Sequence, residues 1–239
     1  MKLYGKNPVL ERLKSNPKTI KCIFIEQGHA ESAYIHQKGK QFGISVTAVP
    51  YTKIQRLAQN VNSQGIVADV EDFAYVMLDD LLETAISKHW SILFLDNLTD
   101  PQNLGGIIRS CGSLGEFGIV LPTSDSVSVT ESVLRVACGG DNFVSIARVS
   151  NLANAIEKAK KAGFWIMGTA ITDSKSIFDV KMQYPLGLVL GSEEKGVREI
   201  IRKKLDQEVM IPMKAARMSL NVAHAASILC YEIIRQKNK

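Results

Sequence analysis

Three segments of the chain combine residue types that could hold and transform a ligand. The first runs Thr99, Asp100, Pro101, Gln102, Asn103, Leu104, Gly105, Gly106, Ile107, Ile108, Arg109. Pro101 and the paired glycines let backbone approach a partner closely, and Arg109, one to two turns into the ensuing helix, can project from its exposed side. The second, from Leu190 through Gly191, Ser192, Glu193, Glu194 and Lys195 to Gly196, is a glycine-bounded acidic turn after a very apolar run. Its two acids speak against a phosphate cradle, whereas its glycines would let a cofactor lie against bare backbone. The third places Ile211, Pro212 and Met213 ahead of Ser219, Leu220, Asn221, Val222 and Ala223. Ser219 reads as the N-cap of the last helix. Asn221, inside the first turn by that reading, is a poor interior helix former with an amide suited to holding another group. Each segment alone also fits an ordinary strand-turn-helix passage or a helix cap.

These residues need a scaffold, and the hydrophobic pattern supplies one. Residues 1–75 alternate helical and extended patterns: helices over 8–14, 31–42 and 53–59, strands over 20–26, 44–49 and 65–70. An acidic stretch with a helix over 78–87 reads as linker and entry to a second unit. There, strands over 92–95, 117–121, 164–169, 186–190 and 208–212 alternate with helices over 103–114, 130–137, 151–163, 197–203 and 219–235. Thr130 and Ser150 or Asn151 serve as caps. Alternating strands and helices build a parallel sheet, whose ligands bind at the carboxyl ends of its strands. That places the loops after Leu95, Leu190 and Ile211 together.

The 239 residues suit two units, with 46% hydrophobic against 22% charged residues giving enough apolar surface for packed cores. Apolar runs such as 91–95 and 186–190 are too short to span a bilayer, and the amino terminus lacks a signal-peptide pattern, so a soluble cytoplasmic protein is expected. Cys22, Cys111, Cys138 and Cys230 lie far apart without a C-x-x-C pair, which suggests buried thiols rather than a metal site or disulfides. Residues 1–75 hold ten Lys/Arg against six Asp/Glu, a net +4, leaving +1 of the total +5 for the rest. A basic amino-terminal unit suits phosphate binding, and equally an ordinary solvated surface.

Together, in this order and at these separations, the three segments resemble the signature motifs of the SpoU/TrmH branch of the SPOUT RNA methyltransferases. Asn103, Gly105 and Arg109 resemble N-x-G-x-x-x-R; Gly191, Glu193 and Gly196 resemble G-x-E-x-x-G; Ile211 to Met213 with Ser219 to Val222 resemble I-P-M…S-L-N-V. Tyr4, Gly5 and Val9, the stretch Ser63 to Val67, and Arg135 to Gly140 are also similar to the family, nearest to its large-subunit ribosomal RNA guanosine 2′-O-methyltransferases.

The resemblance implies an α/β fold: a small L30e-like RNA-binding domain over 1–75, a linker and entry helix over 76–90, and a SPOUT parallel-sheet domain over 91–239. A trefoil knot over roughly 186–235 would complete it, which pattern reading never proposes. It implies S-adenosylmethionine as cofactor, held by Thr169, Leu190, Gly191, Ile211, Met213 and Leu220. It further implies 23S ribosomal RNA as partner, a homodimer with sites assembled across the interface, and neither metal nor membrane. The catalytic group by resemblance is Arg109 with Asn103, Glu193, Ser219 and Asn221. An arginine stays protonated, so stabilising a developing alkoxide suits Arg109 better than abstracting a proton, with Glu193 orienting. Lys195, Arg198, Arg202, Lys203, Lys204, Lys214 and Arg217 could hold RNA phosphates, with a solvated helix face as the alternative for the lysine pair. His224 reads as a helix residue packed near an interface. The third motif departs from the family at Ala215, where glycine is usual, at Ala223, where serine is common, and at Arg217, Met218 and His224, which puts cofactor affinity in question.

Two other functions fit parts of the sequence. A transfer RNA ribose methyltransferase shares the motifs but usually lacks this amino-terminal extension; a non-catalytic RNA-binding assembly factor would not need Asn103, Arg109, Glu193, Ser219 and Asn221. A nicotinamide oxidoreductase is disfavoured because no G-x-G-x-x-G follows an early strand.

Overall fold

The computed structural model describes residues 1–59, 61–170, 174–192, 195–214 and 219–238. The amino-terminal domain holds β1 (Lys2–Tyr4), α1 (Lys6–Ser15), β2 (Ile20–Glu26), α2 (Ser32–Phe42), β3 (Ser45–Val49), α3 (Tyr51–Ala58) and β4 (Ile66–Val70). Its sheet runs β1-β4-β2-β3, with β4 antiparallel to both neighbours and β2 parallel to β3. The sequence pattern contains no sign of β1. Three residues are too few for an alternation, and the strand exists because Lys2, Leu3 and Tyr4 pair with Asp69, Ala68 and Val67 from the far end of the domain.

The connection that follows is tied to the second domain. Tyr75 Oη accepts from the Val129 amide at 2.8 Å, and the Val76 amide donates to the Ile146 carbonyl at 3.0 Å. Next come α4 (Leu78–Ser87), β5 (Ser91–Leu95), α5 (Pro101–Leu114), β6 (Phe117–Pro122), α6 (Glu131–Ala137), β7 (Ser145–Val149), α7 (Leu152–Lys161) and β8 (Trp165–Thr169). They are followed by β9 (Lys175–Ser176), β10 (Leu186–Leu190), α8 (Glu199–Arg202), β11 (Gln207–Met210) and α9 (Val222–Lys237). The second sheet has the order β7-β6-β5-β10-β8-β11-β9, and its ladders are parallel. Strands β5 and β10 are buried along their whole length, because helices cover both faces. One face packs Leu104, Ile107, Leu229 and Ile233 of α5 and α9, the other Leu81, Leu82, Ile156 and Ile201 of α4, α7 and α8. The short β7 and β9 are elements the sequence pattern does not reveal. Strand β10 enters the gap between β5 and β8, both of which precede it in the chain.

Two local readings need correction. Helix α9 begins at Val222, and its N-cap is Asn221, not Ser219: the Asn221 carboxamide oxygen accepts from the amides of Ala223 at 2.9 Å and His224 at 3.4 Å. Asparagine is as good a cap as serine, so composition could not choose between them, and the chain direction into the helix does. Helix α5 begins at Pro101 with Asp100 as its N-cap, accepting from the Gln102 amide at 2.8 Å. Thr130 and Asn151 cap α6 and α7 as expected. Of the cysteines, Cys111 and Cys230 are buried, but Cys22 and Cys138 are half-buried.

Candidate functional site

A cavity of about 300 Å³ lies where β8, β10 and β11 end, closed on one side by the start of α9. Thr169, Leu190, Gly191, Ile211, Met213 and Leu220, all six residues expected at a cofactor, line it, and so does Ser219. They come from four separate chain segments, and the parallel sheet joins them by ending its neighbouring strands at one level.

The loop after β10 shapes this cavity. It turns back on itself through a bridge between Ser192 and Gly196, whose amide donates to the Ser192 carbonyl at 2.8 Å. A Cβ on Gly191 would lie 2.0 to 2.3 Å from backbone atoms of Gly196 and Val197, so the absence of a side chain lets the loop close on itself. Gly196 has φ of +64°, which a side chain disfavours. Closure of the loop is thus a structural reason for these glycines. Glu193 lies outside the described residues, as do Ala215, Arg217 and Met218.

A clamp absent from the motifs fixes the other end of this loop. Asp96, fully buried at the end of β5, accepts from the Arg198 amide at 2.9 Å and from its Nε at 2.8 Å, and a second guanidinium nitrogen completes the ion pair at 2.6 Å. The Asp96 amide in turn donates to the Leu190 carbonyl at 2.8 Å. A carboxylate without solvent is tolerated only when its lone pairs are filled, and one residue here fills them with both backbone and side chain. Arg198, a candidate RNA contact by sequence, is thereby engaged within the chain. Other members of that basic set are also engaged within the chain: Arg202 with Glu208, Lys203 with Glu199, and Lys204 with Glu157. Lys195 and Lys214 are exposed and make no ion pair among the described residues. Arg202, Glu208 and Lys195 line the cavity.

Asn103 and Asn221 are brought together. Asn103 is 7% exposed in the first turn of α5, and its Oδ1 accepts from Asn221 Nδ2 at 2.7 Å. Asn221 therefore spends its oxygen on its own helix and its nitrogen on the neighbouring one, locking the two helix starts in register. Farther along, Ser110 and Ser227 hydroxyls meet at 2.7 Å. A Cβ on Gly106 would lie 3.1 Å from that of Ala223, so a small residue at 223 permits the close crossing. Likewise a Cβ on Gly105 would lie 2.5 Å from that of Val136 on α6. The paired glycines thus serve helix packing.

Arg109 is not brought to the cavity wall. Six residues beyond Asn103 on a helix, it points about 120° away. Its side chain is exposed and has no hydrogen bond or ion pair among the described residues. His224 is exposed on α9. Among the described residues no group of three or more His, Cys, Asp or Glu could hold a metal ion, and no helix is long and apolar enough to cross a membrane.

Comparison with known proteins matches two family models in succession. Residues 2–76 match a model described as RNA 2′-O ribose methyltransferase substrate binding, and residues 91–231 match the SpoU rRNA methylase family. A Bacillus subtilis protein named YacO, placed in the TrmH family of tRNA/rRNA methyltransferases, is 36% identical over 98% of this chain and 95% of its own length. The 23S rRNA (guanosine-2′-O-)-methyltransferase RlmB of Pseudomonas putida is 31% identical over 99% of this chain and 96% of its own. Among solved structures, an AdoMet-bound rRNA methyltransferase from Sinorhizobium meliloti superposes with a TM-score of 0.80 at 24% identity, covering 98% of this chain and 86% of that one.

Proposed function

Because this chain belongs to the SpoU rRNA methylase family, we propose that it methylates a ribose 2′-hydroxyl, that of a guanosine, in 23S ribosomal RNA with S-adenosylmethionine as donor. Membership makes it an RNA methyltransferase; the nucleotide, the donor's seat and the residue roles are the proposal. The carrying observation is the cavity at the strand ends, lined by every residue expected to bind the donor. Its size lies at the lower end of small-molecule sites. Leu190, Val209, Ile211, Leu220 and Val222 give apolar walls for a heteroaromatic ring, while Lys195 and the Arg202–Glu208 ion pair make one part of the lining polar, which suits an amino-acid tail. Relatives named as 23S rRNA enzymes align along the whole chain, amino-terminal domain included, which favours ribosomal over transfer RNA.

When bound, the donor supplies an electrophilic methyl group on a sulfonium sulfur. The chain's own residues then have to hold the ribose in line, keep the donor fixed and stabilise the charge that grows on the attacking oxygen. The Asn103–Asn221 bond braces the donor cavity against α5. Arg109 carries a permanent positive charge, so it stabilises the developing alkoxide while the proton leaves to water or a phosphate. Glu193 orients the substrate, and Ser219, on the cavity wall, adds a hydroxyl. Arg109 is exposed and does not line the cavity of its own chain, so in this reading RNA and a second copy of the chain complete the site. The exposed stripe His224, Ile228 and Tyr231 on α9 is the surface that supports such a homodimer. Insertion of β10 between β5 and β8 supports the family's trefoil knot as part of the same reading.

The test is transfer of labelled methyl from S-adenosylmethionine to unmodified ribosomal and transfer RNA, with wild type beside Arg109→Ala. Label in large-subunit RNA that disappears in the variant is expected; label confined to transfer RNA would refute the substrate, and no label despite cofactor binding would refute the activity. Arg109→Lys tests the guanidinium itself: a full single-turnover rate in that variant would exclude a role specific to arginine.

A further inference from the structure

We propose that a buried ion pair between Arg12 and Asp141 couples the amino-terminal domain to the helix that carries Arg109, making both members positioning residues for methyl transfer. Arg12 lies on α1 of the first domain and Asp141 on a short 3-10 turn, residues Gly140–Asn142, of the second. Each is 7% exposed, and the guanidinium donates directly to the carboxylate while a second nitrogen donates to Thr19 Oγ1 at 3.0 Å. Burial pushes the Asp141 carboxyl up, against the opposing pull of Arg12. A desolvated pair of this kind contributes little net stability and is better suited to fixing one arrangement of two surfaces.

The turn that Arg12 grips lies directly on the catalytic helix. A Cβ on Gly140 would come within 2.9 Å of the Arg109 Cα and of the Ile108 carbonyl oxygen, and a Cβ on Gly112 within 2.6 Å of the Gly140 carbonyl oxygen. No side chain cushions this contact, so any shift of the turn moves the backbone at Arg109. A second grip acts in parallel. Glu131, the first residue of α6, accepts from the Lys2 amide at 2.6 Å and from Tyr4 Oη at 2.9 Å, and α6 meets α5 at Gly105 and Val136. The docked first domain thus holds both elements that back α5 on the side away from α9. Neither Arg12 nor Asp141 belongs to the three motifs.

The inference rests on the methyl transfer proposed above, and its test separates the two. Small-angle scattering, S-adenosylmethionine affinity and single-turnover transfer to transcribed large-subunit RNA are compared for wild type, Arg12→Met and the apolar pair Arg12→Met/Asp141→Leu. Arg12→Met strands a buried carboxylate. It should open the domains in scattering and slow transfer at least tenfold at saturating RNA, with cofactor affinity within twofold of wild type. The apolar pair should restore both compactness and rate. A rate within twofold of wild type in Arg12→Met, or a slow apolar pair that scatters as compactly as wild type, would overturn the proposal. Arg12→Lys replaces Arg12→Met should the latter not fold, with a smaller loss expected and none overturning it. A wild type without activity would sink the reading of function instead; the coupling would then fall if Arg12→Met stayed compact.

Discussion

Replacing Asp96 by alanine removes the acceptor for two hydrogen bonds from Arg198, one of them from its main-chain amide, together with the ion pair to its guanidinium. Hydrogen bonds to a charged group contribute about 1.5–3 kcal/mol each, and breaking a buried pair costs about 3–5 kcal/mol. Asp96 is fully buried but the Arg198 side chain is 40% exposed, so water recovers part of the guanidinium's loss. A net cost of about 2–4 kcal/mol is expected, and it falls on the closed form of the loop over 191–198. Since about 1.4 kcal/mol is tenfold in affinity, S-adenosylmethionine should bind roughly thirty-fold to several-hundred-fold more weakly. Isothermal titration gives the affinity, and circular dichroism verifies that the sheet persists. An Asp96→Ala protein that is folded and binds the cofactor within twofold of wild type would show that the clamp does not shape the cavity.

Asn221→Ala should lower stability by about 1–2 kcal/mol in urea unfolding, since it removes both the N-cap of α9 and the bond to Asn103, whereas Ser219→Ala should leave the helix intact. Tyr4 Oη is pushed up to about 12 by burial and by the Glu131 carboxylate. The folded state then holds the phenolic proton more tightly than the unfolded chain, so stability falls as pH rises from about 10 toward 12, and Tyr4→Phe should remove that loss from melting curves taken across this range. Ile228→Glu with Tyr231→Glu places charge on the exposed face of α9. A dimer built there should dissociate in sedimentation analysis, and a wild-type protein that is monomeric at assay concentrations would refute the shared site.

The sequence by itself determined most of the scaffold and the chemical class. Periodicity located α4 and the strands β2, β5 and β10 nearly to the residue, because amphipathic and fully buried runs leave a mark in local order. The second and third motifs marked segments that meet around the cavity, and the first marked the helix start that Asn103 ties to Asn221. What local order could not carry was decided by tertiary structure. The strand β1 exists only through its partner β4, and Asn221 rather than Ser219 caps α9 because of how the chain enters that helix. The basic residues around the site read alike as a patch for phosphates, yet Arg198 is consumed by Asp96, 102 positions away, and Arg202 by Glu208. Arg12 and Asp141 are 129 positions apart and carry no pattern that links them. A charge has no periodicity and looks the same whether water or a buried counter-ion will meet it, so its role emerges only when the fold has chosen its neighbours.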